Sequence, residues 1–239
     1  MDTYLNFLGM EIPLHDVLRW VHIILAAYWL GGEWGVFNAS TFVADRTLTL
    51  EERRRHMQTA VMIDILPRSA IIWLLPVGFH MASNYGLSPV TGIWVTVAWI
   101  ATAVWWWALI WQAFKNRGTE KYVRLTQIDN KIRWVLIPAL MIAGLYTIFT
   151  GKVAITGEEA GQYWFGFKMA FFGFILIIGL YLRYVMTDWV GAFRKLEVDG
   201  PNDEIEDHIY GTLQQARKAA YLYWISIGTM AFVGVTKAF

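Results

Sequence analysis

The sequence predicts an all-α integral membrane protein, a single bundle of about six transmembrane helices. Hydrophobic residues fill 56% of its 239 positions and charged residues only 16%, where a soluble domain carries about 25% charged residues. The mean hydropathy is +0.39. The apolar residues also gather in runs of roughly 20, the length a helix needs to cross the hydrocarbon core. These runs cover residues 14–40, 57–84, 91–115, 132–151, 162–191 and 213–237 within one membrane-embedded domain, residues 1–239.

The first run, "LRWVHIILAAYWLGGEWGVF", carries Arg19, His22 and Glu33. Ionisable groups are expensive in lipid and face the bundle interior or a cavity. Steps of three, four, seven and eleven return to one side of a helix, so His15, Arg19, His22, Ala26 and Glu33 share a stripe. Small residues beside it (Ala27, Gly31, Gly32, Gly35) admit a close partner helix or a flat cofactor. The N-terminus has no basic leader region or small-residue cleavage site. We therefore expect a retained helix, preceded by a short segment, "MDTYLNFLGMEIPLHD", along the outer interface.

The second run is the least regular, with Asp64, Pro67, Arg68 and Pro76. Asp64 and Arg68 stand i, i+4 and predict an intrahelical ion pair. In the third, the tryptophans of "VWWWALIW" are expected as lipid-facing anchors. The fourth is "IPALMIAGLYTIFTG", the fifth contains Lys168, and the sixth closes the chain. The connection "KLEVDGPNDEIEDHIYG", turn-rich at Asp199-Gly200-Pro201, is expected as a solvated loop.

Basic residues alternate by loop. Arg46, Arg53, Arg54 and Arg55 lie in the first, Lys115, Arg117, Lys121, Arg124, Lys131 and Arg133 in the third, and Arg194, Lys195, Arg217 and Lys218 in the fifth. The second loop has none. The positive-inside rule then places loops one, three and five in the cytoplasm and both termini in the periplasm of a bacterial-type inner membrane.

That orientation converts positions into depths. His22, His80 and Lys168, on three helices, fall in the same outer third of the membrane. Imidazoles from antiparallel helices at matched depth are ligands for b-type haem, and the absence of cysteine excludes covalent c-type attachment. His22 and His80 are the candidate axial metal ligands, Arg19 and Lys168 the candidate propionate partners. Trp20, Trp29, Trp73, Phe79 and Trp164 are candidate walls. His15 is interfacial, with a ligand role left open. The plainer alternative is that these histidines only bond to neighbouring carbonyls or hydroxyls. His56 and His208 read as solvated. Glu33 reads as part of a structural network near the cytoplasmic side, with a proton path as the alternative. The net charge of +1 gives no indication of nucleic acid.

"LRWVHIILAAYWLGG" resembles the first helix of the HemJ-type protoporphyrinogen oxidases and the CopD-like membrane proteins, and also the membrane part of bacterial membrane-bound urate oxidases. "IPALMIAGLYTIFTG", "YWFGFKMAFFGFILIIGLYLRYVM" and "ARKAAYLYWISIGTMAFVGVTKAF" are similar, in order, to later helices of the HemJ-type family, so the likeness covers roughly half of the chain. The resemblance implies haem b at His22 and a functional role for Lys168. The second and third runs are additional to that family's core. Its aromatic-His pair is replaced by "LYLRYV", and its acidic opening of the last helix by "ARKAAY". The expectation is a haem b protein of electron transfer, or a haem-dependent oxidoreductase, working with a quinone or another membrane redox subunit. Alternatives are a CopD-like copper transporter, with His15, His22, His80, Met10 and Met81 at the outer face, and a non-catalytic anchor or assembly subunit.

Overall fold

The computed structural model describes residues 4–7 and 10–237. Two short strands, β1 (Tyr4–Phe7) and β2 (Met10–Pro13), pair antiparallel. The helices that follow are α1 (Leu14–Thr41), α2 (Leu50–Ile63), α3 (Ile65–Ser83), α4 (Ile93–Trp105), α5 (Gln112–Lys115), α6 (Glu120–Thr150), α7 (Trp164–Asp199) and α8 (Asp203–Thr236). The described part of the N-terminal segment is thus an antiparallel strand pair leading directly into α1. Four-residue strands offer too little alternation to be read from sequence.

The class is as expected: an all-α membrane bundle. Among the described residues, five helical stretches are long and apolar enough to cross a membrane: Leu50–Ser83, Ile93–Lys115, Glu120–Thr150, Trp164–Asp199 and Asp203–Thr236. The expected count was six. The difference is α1, whose 28 residues reach about 42 Å at 1.5 Å per residue but include Arg19, His22 and Glu33. It is held in the bundle by contact with its neighbours rather than by apolarity alone.

Helix ends depart from the expected spans wherever a cap extends a helix beyond its apolar run. Thr49 and Glu52 form a reciprocal capping box, a strong start signal, so α2 begins at Leu50. Thr119 caps α6, which begins at Glu120 instead of 132. Asn202 Oδ1 accepts from the amides of Glu204 and Ile205, and Asp203, Glu204 and Glu206 complement the positive helix end. The acidic stretch after Gly200 is therefore the first turn of α8 and not a loop. Between α4 and α5 the chain forms a π-helical segment, Trp106–Trp111.

Spans adjacent in the chain pack antiparallel, while α1 and α7 meet in parallel through Trp29 and Phe172. His15 meets Asn84 and Tyr85, His22 meets Gly78, Gly32 meets Pro67 and Gly35 meets Ile63, so numbers fall along α3 as they rise along α1. A Cβ on Gly32 would lie 2.5 Å from Pro67 Cδ, so only glycine allows this approach. Gly144 on α6 is closed in the same way by Ala170 of α7. On α7 and α8, Gly179 faces Tyr223 and Lys168 faces Gly234, while Trp189 donates to Thr212.

Two cores result. One lies mid-bundle around Trp29, Ile72, Phe172, Ile175 and Tyr223. The other lies at the basic end, where Val43, Trp189, Phe193, Leu196, Ile209 and Leu213 pack together. There Arg53, 3% exposed, grips Glu206 with two bonds of 2.7 Å and donates to the Val43 carbonyl at 2.8 Å. His56 stacks on Phe42, and exposed His208 pairs with Asp188 at 2.6 Å.

Candidate functional site: a charged cavity beneath a histidine–lysine pair

Helix α1 carries two polar levels, at His22 and at Glu33, eleven residues and about 16 Å apart along the axis. At the upper level His22 lies over Gly78 of α3, where a Cβ would sit 3.8 Å from His22 Cε1. Lys168 of α7 is within electrostatic reach of His22, and its Nζ rests against Gly234 of α8. The structure therefore brings together His22 and Lys168, two of the residues singled out in the sequence.

The others go elsewhere. His80 is two residues beyond Gly78, about 200° around the helix at 100° per residue, and its ring meets Trp99 of α4. Its titratable neighbour is His15, which contacts Asn84 at 3.4 Å and Tyr85 at 3.1 Å. Arg19 is exposed and pairs with Asp16 at 3.4 Å. The proposed aromatic walls also scatter. Trp20 is exposed, Trp29 is bonded to Tyr223, Trp73 faces Trp99 and Trp106, Phe79 faces Phe165, and Trp164 donates to Gln162.

At the lower level a cavity of about 90 Å³ is lined by Glu33, Asp64, Arg68, Arg133, Arg183 and Tyr223 among other residues. Five helices build it. Asp64, between α2 and α3, accepts from Arg68 as the i, i+4 spacing predicts. Asp129 of α6, 1% exposed, is the hub of a second group. It accepts from Arg133 Nε at 3.2 Å, Arg183 Nη1 at 2.6 Å and Trp105 Nε1 at 2.8 Å. Arg183 also donates to Asn130 Oδ1 at 2.5 Å. Two of the tryptophans expected as lipid anchors thus point inward, since Trp106 donates to Ser69 as well; Trp107 remains exposed.

Between the levels lies an aromatic plug. Trp29 and Tyr223, each 2% exposed, join through a 3.0 Å bond from Trp29 Nε1 to Tyr223 Oη, with Phe172 edge-on to Trp29. Tyr223 and Glu33 both line the cavity and lie within electrostatic reach of one another, so the plug borders the cavity directly.

Asp129, Arg183 and Tyr223 were not singled out in the sequence, and Arg133, counted there among the basic residues of the third loop, is buried within α6. Asp129 and Arg133 straddle the start of the expected fourth span, and their i, i+4 spacing matches that of Asp64 and Arg68; that spacing was the available signal. Comparison with known protein families, with curated proteins and with solved structures finds no match to the chain.

The haem expectation can be tested on these positions. A two-imidazole clamp of one iron does not fit, because His80 leaves α3 about 200° around from Gly78, the position that His22 of α1 lies over, and the two rings take different partners. A single imidazole bond does fit one observation: the Nδ1 atoms of His22 and of His80 are each buried and make no hydrogen bond, and of the two His22 alone has Lys168 within electrostatic reach. For copper, among the described residues no group of three or more His, Cys, Asp or Glu side chains converges to hold a metal ion.

Proposed function

We propose that this chain is a multi-pass membrane transport protein in which Glu33 carries a proton between the two polar levels of the bundle. The observation that supports this best is the charged cavity itself. Six ionisable side chains from five helices, sealed on one side by Trp29 and Tyr223, form more than a lone interhelical ion pair. Intramembrane ionisable groups arranged around a cavity mark ion paths and proton relays. A cavity of about 90 Å³ has room for several waters, at roughly 10–15 Å³ each.

With the basic loops in the cytoplasm, the cavity lies in the inner half and His22 and Lys168 in the outer half. Glu33 gives and takes the proton, the paired arginines and aspartates hold the site open, and the plug blocks a continuous water file. Passage requires the Trp29–Tyr223 contact to open. Purified protein in vesicles loaded with a pH-sensitive dye should dissipate an imposed pH gradient. Glu33→Gln should abolish that flux without loss of protein or folding. Flux equal in wild type and Glu33→Gln rejects the reading and leaves the charged layer as a structural tie between helices.

A second reading rests on the unpartnered His22 Nδ1. It is a haem b held by His22 alone, with Lys168 supplying a cation, in the manner implied by the resemblance to HemJ-type proteins. Such a haem would supply one-electron transfer to a quinone or a membrane redox subunit. An absorption spectrum of protein from haem-sufficient cells, oxidised and dithionite-reduced, decides it. A high-spin spectrum lost in His22→Ala supports it, and colourless protein rejects it.

A further inference from the structure

Two arginines at the cavity are incompletely satisfied. Arg133, 4% exposed, commits Nε to Asp129 and lies over the Trp105 ring, yet its Nη2 is buried and makes no hydrogen bond. Arg68 gives one terminal nitrogen to Asp64, while its Nε is buried and unbonded. Both side chains line the same cavity. A buried charged donor without an acceptor is costly, and such groups are almost always paired.

The charge pattern points the same way. Among the described residues, Arg68, Arg133 and Arg183 pair with two aspartates, Asp64 and Asp129. With Glu33 protonated, the layer keeps one uncompensated positive charge; with Glu33 ionised, it is neutral. The groups facing Glu33 are Asp64 and Arg68 beside α3, Arg183 of α7 and Tyr223 of α8, with Arg133 of α6 on the shared cavity wall.

We propose that the cavity binds a small monovalent anion, a short carboxylate or planar oxyanion, between Arg68 Nε and Arg133 Nη2, and that it does so when Glu33 is protonated. Guanidinium groups suit such ligands because their planar N–H donors match carboxylate and oxyanion geometry. An anion and a proton would then occupy the layer together and leave together. This rests on the transport reading above and names what crosses with the proton.

The test uses the full-length protein in phosphatidylcholine nanodiscs, so that no anionic headgroup competes. Nitrate and lactate are titrated calorimetrically at one pH below and one above neutrality. The expected result is binding of at least one of them, tighter at the lower pH. Each charge-assisted bond removed should weaken binding about tenfold or more. Arg133→Gln should do so, and Arg68→Lys should too, since it keeps the charge beside Asp64 but lacks the Nε donor. Glu33→Gln should bind equally at both pH values. If neither anion binds while Glu33-dependent proton flux persists, the anion site is wrong and the proton reading stands. If neither binding nor flux occurs, both are wrong. Binding indifferent to Arg68→Lys and to Arg133→Gln also overturns the site.

Discussion

Asp129→Asn should be among the most destabilising single changes in this bundle. The substitution keeps the shape of the side chain and can keep the bond from Trp105 Nε1. It removes the negative charge that Arg133 and Arg183 share at 3.2 and 2.6 Å. Breaking a buried pair costs about 3–5 kcal/mol, because the stranded charge is no longer compensated. Two guanidiniums are stranded here, which argues for the upper part of that range. Two features pull the other way. Arg183 keeps Asn130, and both arginines line the cavity, where entering water would return part of their solvation. The balance gives about 3 kcal/mol. Equilibrium unfolding in mixed micelles measures it, with Asp129→Asn/Arg183→Gln as the control, since removing one stranded cation should recover a large part of the loss. A single-variant loss below about 1 kcal/mol, the scale of an ordinary polar contact in a membrane bundle, would refute the assignment of Asp129 as the buried counter-ion.

Glycines on α1 give a matched pair. Gly32→Ala drives a Cβ against the Pro67 ring and should cost about 1–3 kcal/mol as overpacking, whereas Gly31→Ala, with nothing within 4 Å, should be neutral or gain up to about 1 kcal/mol from helix propensity; thermal unfolding compares them. At the basic end, Arg53→Ala leaves the mostly buried Glu206 unpaired and should cost about 3 kcal/mol, while Arg54→Ala loses only a half-exposed pair with Glu197 and should change stability by less than about 1 kcal/mol. Reporter fusions active only in the cytoplasm should work in the segment near Arg117 and be silent when fused after Phe239; the reverse pattern would invert every statement about inside and outside.

How much was legible follows from what carries each signal. The bundle is written in composition and run length, and the Asp64–Arg68 pair in an i, i+4 spacing, so both could be read directly. The matched depth of His22 and Lys168 also followed from counting residues inward along two helices that enter from the same side. Facing did not follow, because it depends on which neighbour each side of α3 meets. His22 reaches Gly78, and His80 turns to α4 and His15. Helix starts were missed where Thr49, Thr119 and Asn202 extend helices beyond the apolar run that defined the span. The Asp129 group was missed because its members are 54 residues apart along the chain, from Asp129 to Arg183, and meet only through α6–α7 packing.

The claim on which the account turns is that Glu33 changes its protonation inside the bundle. Infrared difference spectroscopy across a pH titration of the reconstituted protein measures this directly. The account predicts a carboxylic-acid carbonyl band that shifts in heavy water, exchanges with a carboxylate band as pH rises, and is missing in Glu33→Gln. A titration in which wild type and Glu33→Gln give the same difference spectrum would contradict it, and would make Glu33 a fixed partner of Tyr223 and the arginines rather than a proton carrier.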